Sequence, residues 1–280
     1  MNERLIPLSL KKDYVDFSLS SFFRYKDHLD LSYNLFNTLF EIIEKNEDKI
    51  AKNLDSNFNK AITLLFYQSF RIYWSILALC EEGFGTQSAI LLRSLMERVI
   101  DIEWMAKLDI SEREVKAKAF LDFEIIASKQ LMDKYEKYDI YSKMDEKTKK
   151  VLINNRATIL EKYSEIKGDY PKNKEDFIFR WASESYKKKA EQVSKAALKD
   201  YDFYYWYLSF VTHSTTMGDV KYFEQCEMPL HGLFCLSIKY ILLAFNRWDL
   251  VFSLGLGRVK KEFVNRLKSL NNPVKKYSEI

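Results

Sequence analysis

NKAITLLFYQSFRIYWSILALCEEGFGTQSAILLRSLMERVIDIEWMAK, residues 59–107, reads as two apolar segments parted by a short stretch around Gly83 and Gly85. Within each segment large apolar side chains return every three or four residues, the period of a helix that buries one face. The glycines stop the first helix, because a left-handed residue at a helix end costs glycine little. So short a connection makes the two helices antiparallel neighbours. The expected fold is therefore all-α: one helical bundle of about eight or nine helices built on a long antiparallel hairpin.

Outward from the hairpin, start and stop signals recur. A helix is expected over roughly 28–53, and Asp55 or Ser56 is placed to cap the hairpin's first arm. In SERE, Ser111 with Glu114 three residues on has the capping-box spacing and predicts a helix from there to about Tyr138. Further helices are expected over about 145–167, 184–195, 200–213, Pro229–Leu254 and 258–269, with Pro229 in a first turn where its missing N–H is not needed. KGDYPKNKED, residues 167–176, breaks this pattern with Gly168, Pro171 and a run of charges, and marks a candidate subdomain boundary within one domain over 1–280.

Composition narrows the function classes. With 47% hydrophobic and 15% aromatic residues the chain has ample apolar area for a core, and seven Gly and four Pro in 280 residues suit helices better than turns and strands. A net charge of +4 sets up no molecule-wide field for nucleic acid or an anionic membrane, so any basic patch is local. Three cysteines make no disulfide framework and no signal peptide is evident, which points to the cytoplasm. The most apolar stretch, 232–245, is short of the ~20 residues a bilayer needs and contains Lys239, so a core helix is expected and no membrane partner.

Arg93 and Glu97 stand four residues apart on the second arm. At 100° per residue, Asp101, Ser94, Gln87 and Arg98 form the most polar arc, the expected solvent face, whereas Arg93 and Glu97 fall beside it with Ile90, Ile100 and Trp104 as neighbours. Partial desolvation of the pair follows. An ordinary surface ion pair is the plain alternative, although Arg preceding Glu is the less favourable order along a helix. In DFYYWYLSFVTHSTTMGD, Ser209 and His213 are likewise four apart and share a face with Trp206. A buried imidazole needs partners for both ring nitrogens, so His213 is either a satisfied core residue or one member of a crevice shared with Arg93 and Glu97.

LLRSLMERVIDIEWM and FRWASESYKKKAEQVSKAALKDYDFYYWYLSFVTHSTT resemble the two signature regions of the bacterial, all-helical domain-of-unknown-function family 5677. Arg93, Ser94, Leu95 and Glu97 match the first region; Trp181, Tyr205, Leu208, Ser209 and His213 match the second, and the similarity spans about 60–225. The resemblance implies the fold and carries no established reaction. A looser similarity is to HEPN-type helical domains, prominent among toxins and antiviral ribonucleases, whose active helix carries Arg, four to six intervening residues, then His. Here that motif is broken: with six residues intervening before His213 the arginine position is occupied by Trp206, and only three residues separate Arg24 from His28. RNA cleavage by this chemistry therefore requires Arg93 to enter from another helix.

Other signals carry less. Asp202, Ser209 and His213 have the residue types of a hydrolase triad, but Asp202 lies ~16 Å along the same expected helix from His213. Cys226, His231 and Cys235 fall short of the four closely spaced ligands of a structural zinc, so no metal and no other cofactor is expected. YDFYYWY and the upstream Lys187, Lys188 and Lys189 have the elements of stacking platforms beside phosphate contacts, with Tyr205, Trp206 and Lys188 as substrate-binding candidates; a core or dimer face and a hydrated lysine run are the plain alternatives. Two functions follow. One is a metal-independent endoribonuclease of bacterial defence or toxin type, with His213 as acid/base, Arg93 as phosphate ligand, and Glu97 and Ser209 as orienting groups. The other is a non-catalytic helical binding or dimerisation module, in which Arg93, Glu97 and His213 form a structural polar network.

Overall fold

The computed structural model describes residues 8–82, 84–170, 181–205, 208 and 227–270. Among these are ten α-helices and no strand: α1 (Leu8–Lys45), α2 (Glu47–Lys52), α3 (Asn57–Glu81), α4 (Gly85–Lys107), α5 (Ile110–Lys137), α6 (Glu146–Ile166), α7 (Tyr186–Val193), α8 (Lys195–Asp200), α9 (Glu227–Phe252) and α10 (Gly257–Leu270). A single π-turn, Tyr201–Tyr205, follows α8 directly. The chain is all-α. The helix expected over 28–53 is two helices, with Asn46 between them, and the expected 200–213 helix begins as α8 plus the π-turn.

The hairpin α3–α4 is the organising unit: these two helices share the most extensive contact among the described helices, and α9 lies against both. Its core is aromatic. Phe66 of α3 stacks on Trp248 of α9 with ring centroids 4.4 Å apart, and Phe245 and Phe252 close around that pair. One contiguous cluster of buried apolar residues runs from Leu29 to Phe263, so α1 and α10 join the same core as the hairpin. By length and mean hydropathy α3 alone among the described helices is apolar enough to cross a membrane, yet half of its most apolar window is buried inside the bundle, as in a core helix. The 232–245 stretch also lies in the core, with Leu233, Phe234, Ile238, Ile241 and Phe245 buried.

Caps follow the sequence with one correction. The Ser56 hydroxyl accepts from the Asn59 N–H at 3.0 Å and starts α3, while Asp145 starts α6 by accepting from Thr148 N–H at 2.9 Å. At α5, however, the N-cap is Asp109 and not Ser111: Asp109 Oδ1 accepts from the Glu112 N–H at 2.8 Å, and Ser111 donates to the same oxygen. A carboxylate accepts more strongly from backbone N–H than a hydroxyl does, so it takes the cap. Glu114 is thereby released to accept from the Phe58 N–H of α3 at 3.3 Å, tying the starts of the two helices together.

Candidate functional site

Arg93 and Glu97 leave α4 one turn apart, with Arg93 Nε 3.4 Å from Glu97 Oε1 and side chains 22% and 21% exposed. Tyr205, at the end of the π-turn, completes the group. Its hydroxyl donates to Glu97 Oε1 at 2.8 Å and accepts from Arg93 Nη2 at 2.9 Å, while its ring lies 4.7 Å below the guanidinium carbon. Tyr201 then stacks on Tyr205 at 4.4 Å, which is what one turn of the wider π geometry aligns. The result is a guanidinium held in a fixed plane by a carboxylate, a phenol and a π-face, yet still partly open to solvent.

Electrostatics reinforce this geometry. Burial alone would disfavour the Arg93 charge, but Tyr205 and Glu97 outweigh it and hold the guanidinium more firmly protonated than in water. Burial, followed by the hydrogen bond and charge of Glu97, pushes the Tyr205 phenol up to about 12, against the pull of Arg93. It therefore stays a neutral donor over the physiological range. A folded-state value above the unfolded one, ~10, means that Tyr205 contributes stability fully below pH ~10 and loses it as pH rises through about 12. The melting-temperature advantage of the protein over Tyr205→Phe is expected to be present at pH 8 and to shrink between pH 10 and 12; a difference that stays constant across that window contradicts this assignment.

Asp101 and Lys189 correct the sequence reading. The sequence pattern puts Asp101 on a solvent face and leaves the lysine run either hydrated or at phosphates, but Asp101 is 0% and Lys189 3% exposed, 2.6 Å apart. Around the ammonium stand Trp181, Trp104 and Tyr186, at 4.0, 4.8 and 5.1 Å from their ring centroids. Tyr186 also donates to Asp101 at 3.3 Å, and Trp104 Nε1 donates to Gln192 at 2.6 Å. The short helix α7 thus covers the Asp101 end of that arc and meets its carboxylate with a cation and a phenol, while Gln87 at the other end stays exposed. Lys187 and Lys188 of the same run are exposed, Lys187 pairing with Asp202 at 3.2 Å.

Further along α4, Glu103 accepts from Arg247 Nη2 and Nε at 2.7 and 3.2 Å, fixing α9. Next to it a cavity of about 220 Å³ opens between α4, α8 and α9, lined by Met96, Val99, Ile100, Val193, Tyr240 and Leu243 among others, and not by Arg93 or Glu97. Among the sequence-expected site residues, then, Arg93, Glu97 and Tyr205 come together, and Lys188 lies exposed on neighbouring α7. Trp206, Ser209 and His213 fall outside the described residues, as do Cys226 and the His231 side chain. Among the described residues no three His, Cys, Asp or Glu side chains gather as metal ligands.

Comparison with curated proteins and with solved structures finds no match. The model of the family described as "Family of unknown function (DUF5677)" matches residues 59–227, from the start of the hairpin through the π-turn that delivers Tyr205. That match covers more than half of the 280 residues, and the chain belongs to this family.

Proposed function

We propose that the protein is a metal-independent endoribonuclease, with Arg93 as the phosphate ligand and His213 as the group that moves protons. One observation carries this reading: a partly open guanidinium, locked by Glu97 and by Tyr205, beside the chain segment that leads to Ser209 and His213. From Tyr205 to Ser209 and again to His213 the spacing is four residues, which is the spacing of side chains on one helical face. In the proposed reaction His213 takes the proton of an RNA 2′-hydroxyl, and the 2′-oxygen attacks the adjacent phosphorus. The bond to the 5′-oxygen breaks, and the imidazolium returns its proton to that oxygen. A 2′,3′-cyclic phosphate and a 5′-hydroxyl end result. Imidazole titrates close enough to neutrality for both steps, and Arg93 offsets the charge that builds on the phosphoryl oxygens. Ser209 orients the imidazole. Such an enzyme would serve in bacterial defence or as a toxin.

A second reading has its own support. Because the Tyr205 hydroxyl already serves both Arg93 and Glu97, the same residues make a satisfied polar network that fixes the π-turn on α4 without any chemistry. Incubation of the purified protein with total RNA in chelator, beside His213→Ala, separates the two. Cleavage by the wild type and none by a folded His213→Ala is the expected result. RNA left intact by both overturns the ribonuclease and leaves the helical module.

A further inference from the structure

Phe203 is the most exposed aromatic side chain among the described residues, 68% open to solvent, in a bundle that buries most of its aromatic surface. It sits mid-way along the π-turn and is braced edge-on by Tyr204, ring centroids 5.0 Å apart and planes at 90°. Beside it lies an open hollow of about 440 Å³ lined by Lys195, Leu198, Lys199, Asp202 and Phe203. Its single carboxylate, Asp202, is already paired with Lys187. Lys195 and Lys199, both exposed, therefore leave the hollow cationic.

An exposed π-face rimmed by cations is the arrangement that binds unpaired nucleotides: the base stacks on the ring and the lysines meet the phosphates. Duplex RNA hides its base faces and offers this surface only phosphates and 2′-hydroxyls. The turn that presents Phe203 outward is also the turn that delivers Tyr205 to Arg93. Tyr201 stacks on Tyr205, whose hydroxyl accepts from Arg93, and the next two residues of the turn, Asp202 and Phe203, line the hollow, so one five-residue turn links the hollow to the guanidinium. We infer that Phe203 is a base-stacking platform for single-stranded RNA, with Lys195 and Lys199 as phosphate contacts, holding a nucleotide that flanks the phosphate at Arg93. This rests on the ribonuclease reading for the choice of RNA over DNA.

Binding tests it without relying on turnover. The probe is a fluorescein-labelled, 2′-O-methylated decaadenylate, whose blocked nucleophile keeps it whole, followed by anisotropy beside the same strand in a duplex. Phe203→Ala is expected to weaken single-strand binding at least ~5-fold while leaving the unfolding midpoint unchanged, and Phe203→Trp to restore it. Removing Lys195 and Lys199 together should reduce the slope of log affinity against log salt by roughly 1.4. Equal binding by Phe203→Ala, no binding at all, or a duplex bound as tightly as the single strand overturns the platform. The two proposals fail separately. Phe203-dependent binding with total RNA left uncut sinks the ribonuclease and keeps the platform, whereas RNA cleavage with Phe203→Ala binding like the wild type does the reverse.

Discussion

Lys189→Ala is expected to destabilise the protein by about 3–5 kcal/mol, the cost of leaving a buried charge without its partner. Asp101 has no exposed surface, and without the ammonium now 2.6 Å away its carboxylate would keep the Tyr186 hydroxyl at 3.3 Å and the Coulombic pull of Arg98. Loss of the stem from between Trp104 and Trp181 adds a packing defect to the electrostatic one. Replacing both charges, Asp101→Leu with Lys189→Met, should recover most of the loss, because an apolar pair needs no desolvation. Urea unfolding of the wild type, Asp101→Leu, Lys189→Met and the double variant gives the coupling, with Lys189→Ala measured beside them. A single-variant loss under ~1 kcal/mol, or a double variant as unstable as Lys189→Ala, contradicts the assignment. The pH dependence has a defined sign. Burial already pushes the Asp101 carboxyl up, against Lys189, Arg98 and Tyr186, and removing Lys189 takes away the main opposing pull. A raised folded-state value means stability is full below the unfolded carboxyl value, ~3.9, and is lost as pH rises through the folded one. The gap between Lys189→Ala and the wild type is therefore expected to widen from pH 4–5 toward pH 8.

That ion pair also marks where sequence reasoning stopped. Periodicity along α4 correctly grouped Asp101 with Arg98 and Ser94 on one polar arc, but a helical projection says which residues share a face, not what covers that face. The cover is α7, eight residues long, whose lysine run looks like any hydrated surface until Lys189 is seen folded inward between Trp181 and Trp104. Local signals were legible for the opposite reason. The hairpin follows from two periodic segments and a short connection, and the Arg93–Glu97 contact from a spacing of four on one helix. Tyr205 reaches Glu97 from 108 residues away, and its place in an aromatic run suggests a substrate contact but carries no sign that it bonds both members of the pair. A partner so distant in sequence leaves no local trace. Phe203 lay inside an aromatic run in which nothing distinguished the exposed ring from its neighbours; only the π-turn separates the face that presents Phe203 to solvent from the one that stacks Tyr201 on Tyr205.

If Arg93 stabilises the charge that develops on a phosphoryl group, Arg93→Ala should lower kcat for RNA cleavage by about 10²–10³, the usual cost of one preorganised donor, while KM moves far less. Arg93→Lys is the sharper variant. It keeps the charge and the ion pair with Glu97 but loses the planar fork that grips two phosphoryl oxygens and stacks on Tyr205, so a fall of at least ~10-fold is expected. Both substitutions should cost only about 1 kcal/mol of stability, since the side chain is partly exposed and its ion pair is of the weak one-turn kind. Activity and stability thus part company: a structural arginine would show its loss mainly in the unfolding midpoint, a phosphate ligand mainly in kcat. Added guanidinium ion provides the decisive control, because it can refill the space left in Arg93→Ala above the Tyr205 ring and beside Glu97. Recovery of part of the lost rate by guanidinium, with little recovery by ammonium, is the expected outcome. Full activity in Arg93→Lys, or a rate loss that tracks unfolding across the variants, shows that the guanidinium serves the packing of the π-turn on α4 and never meets a phosphate.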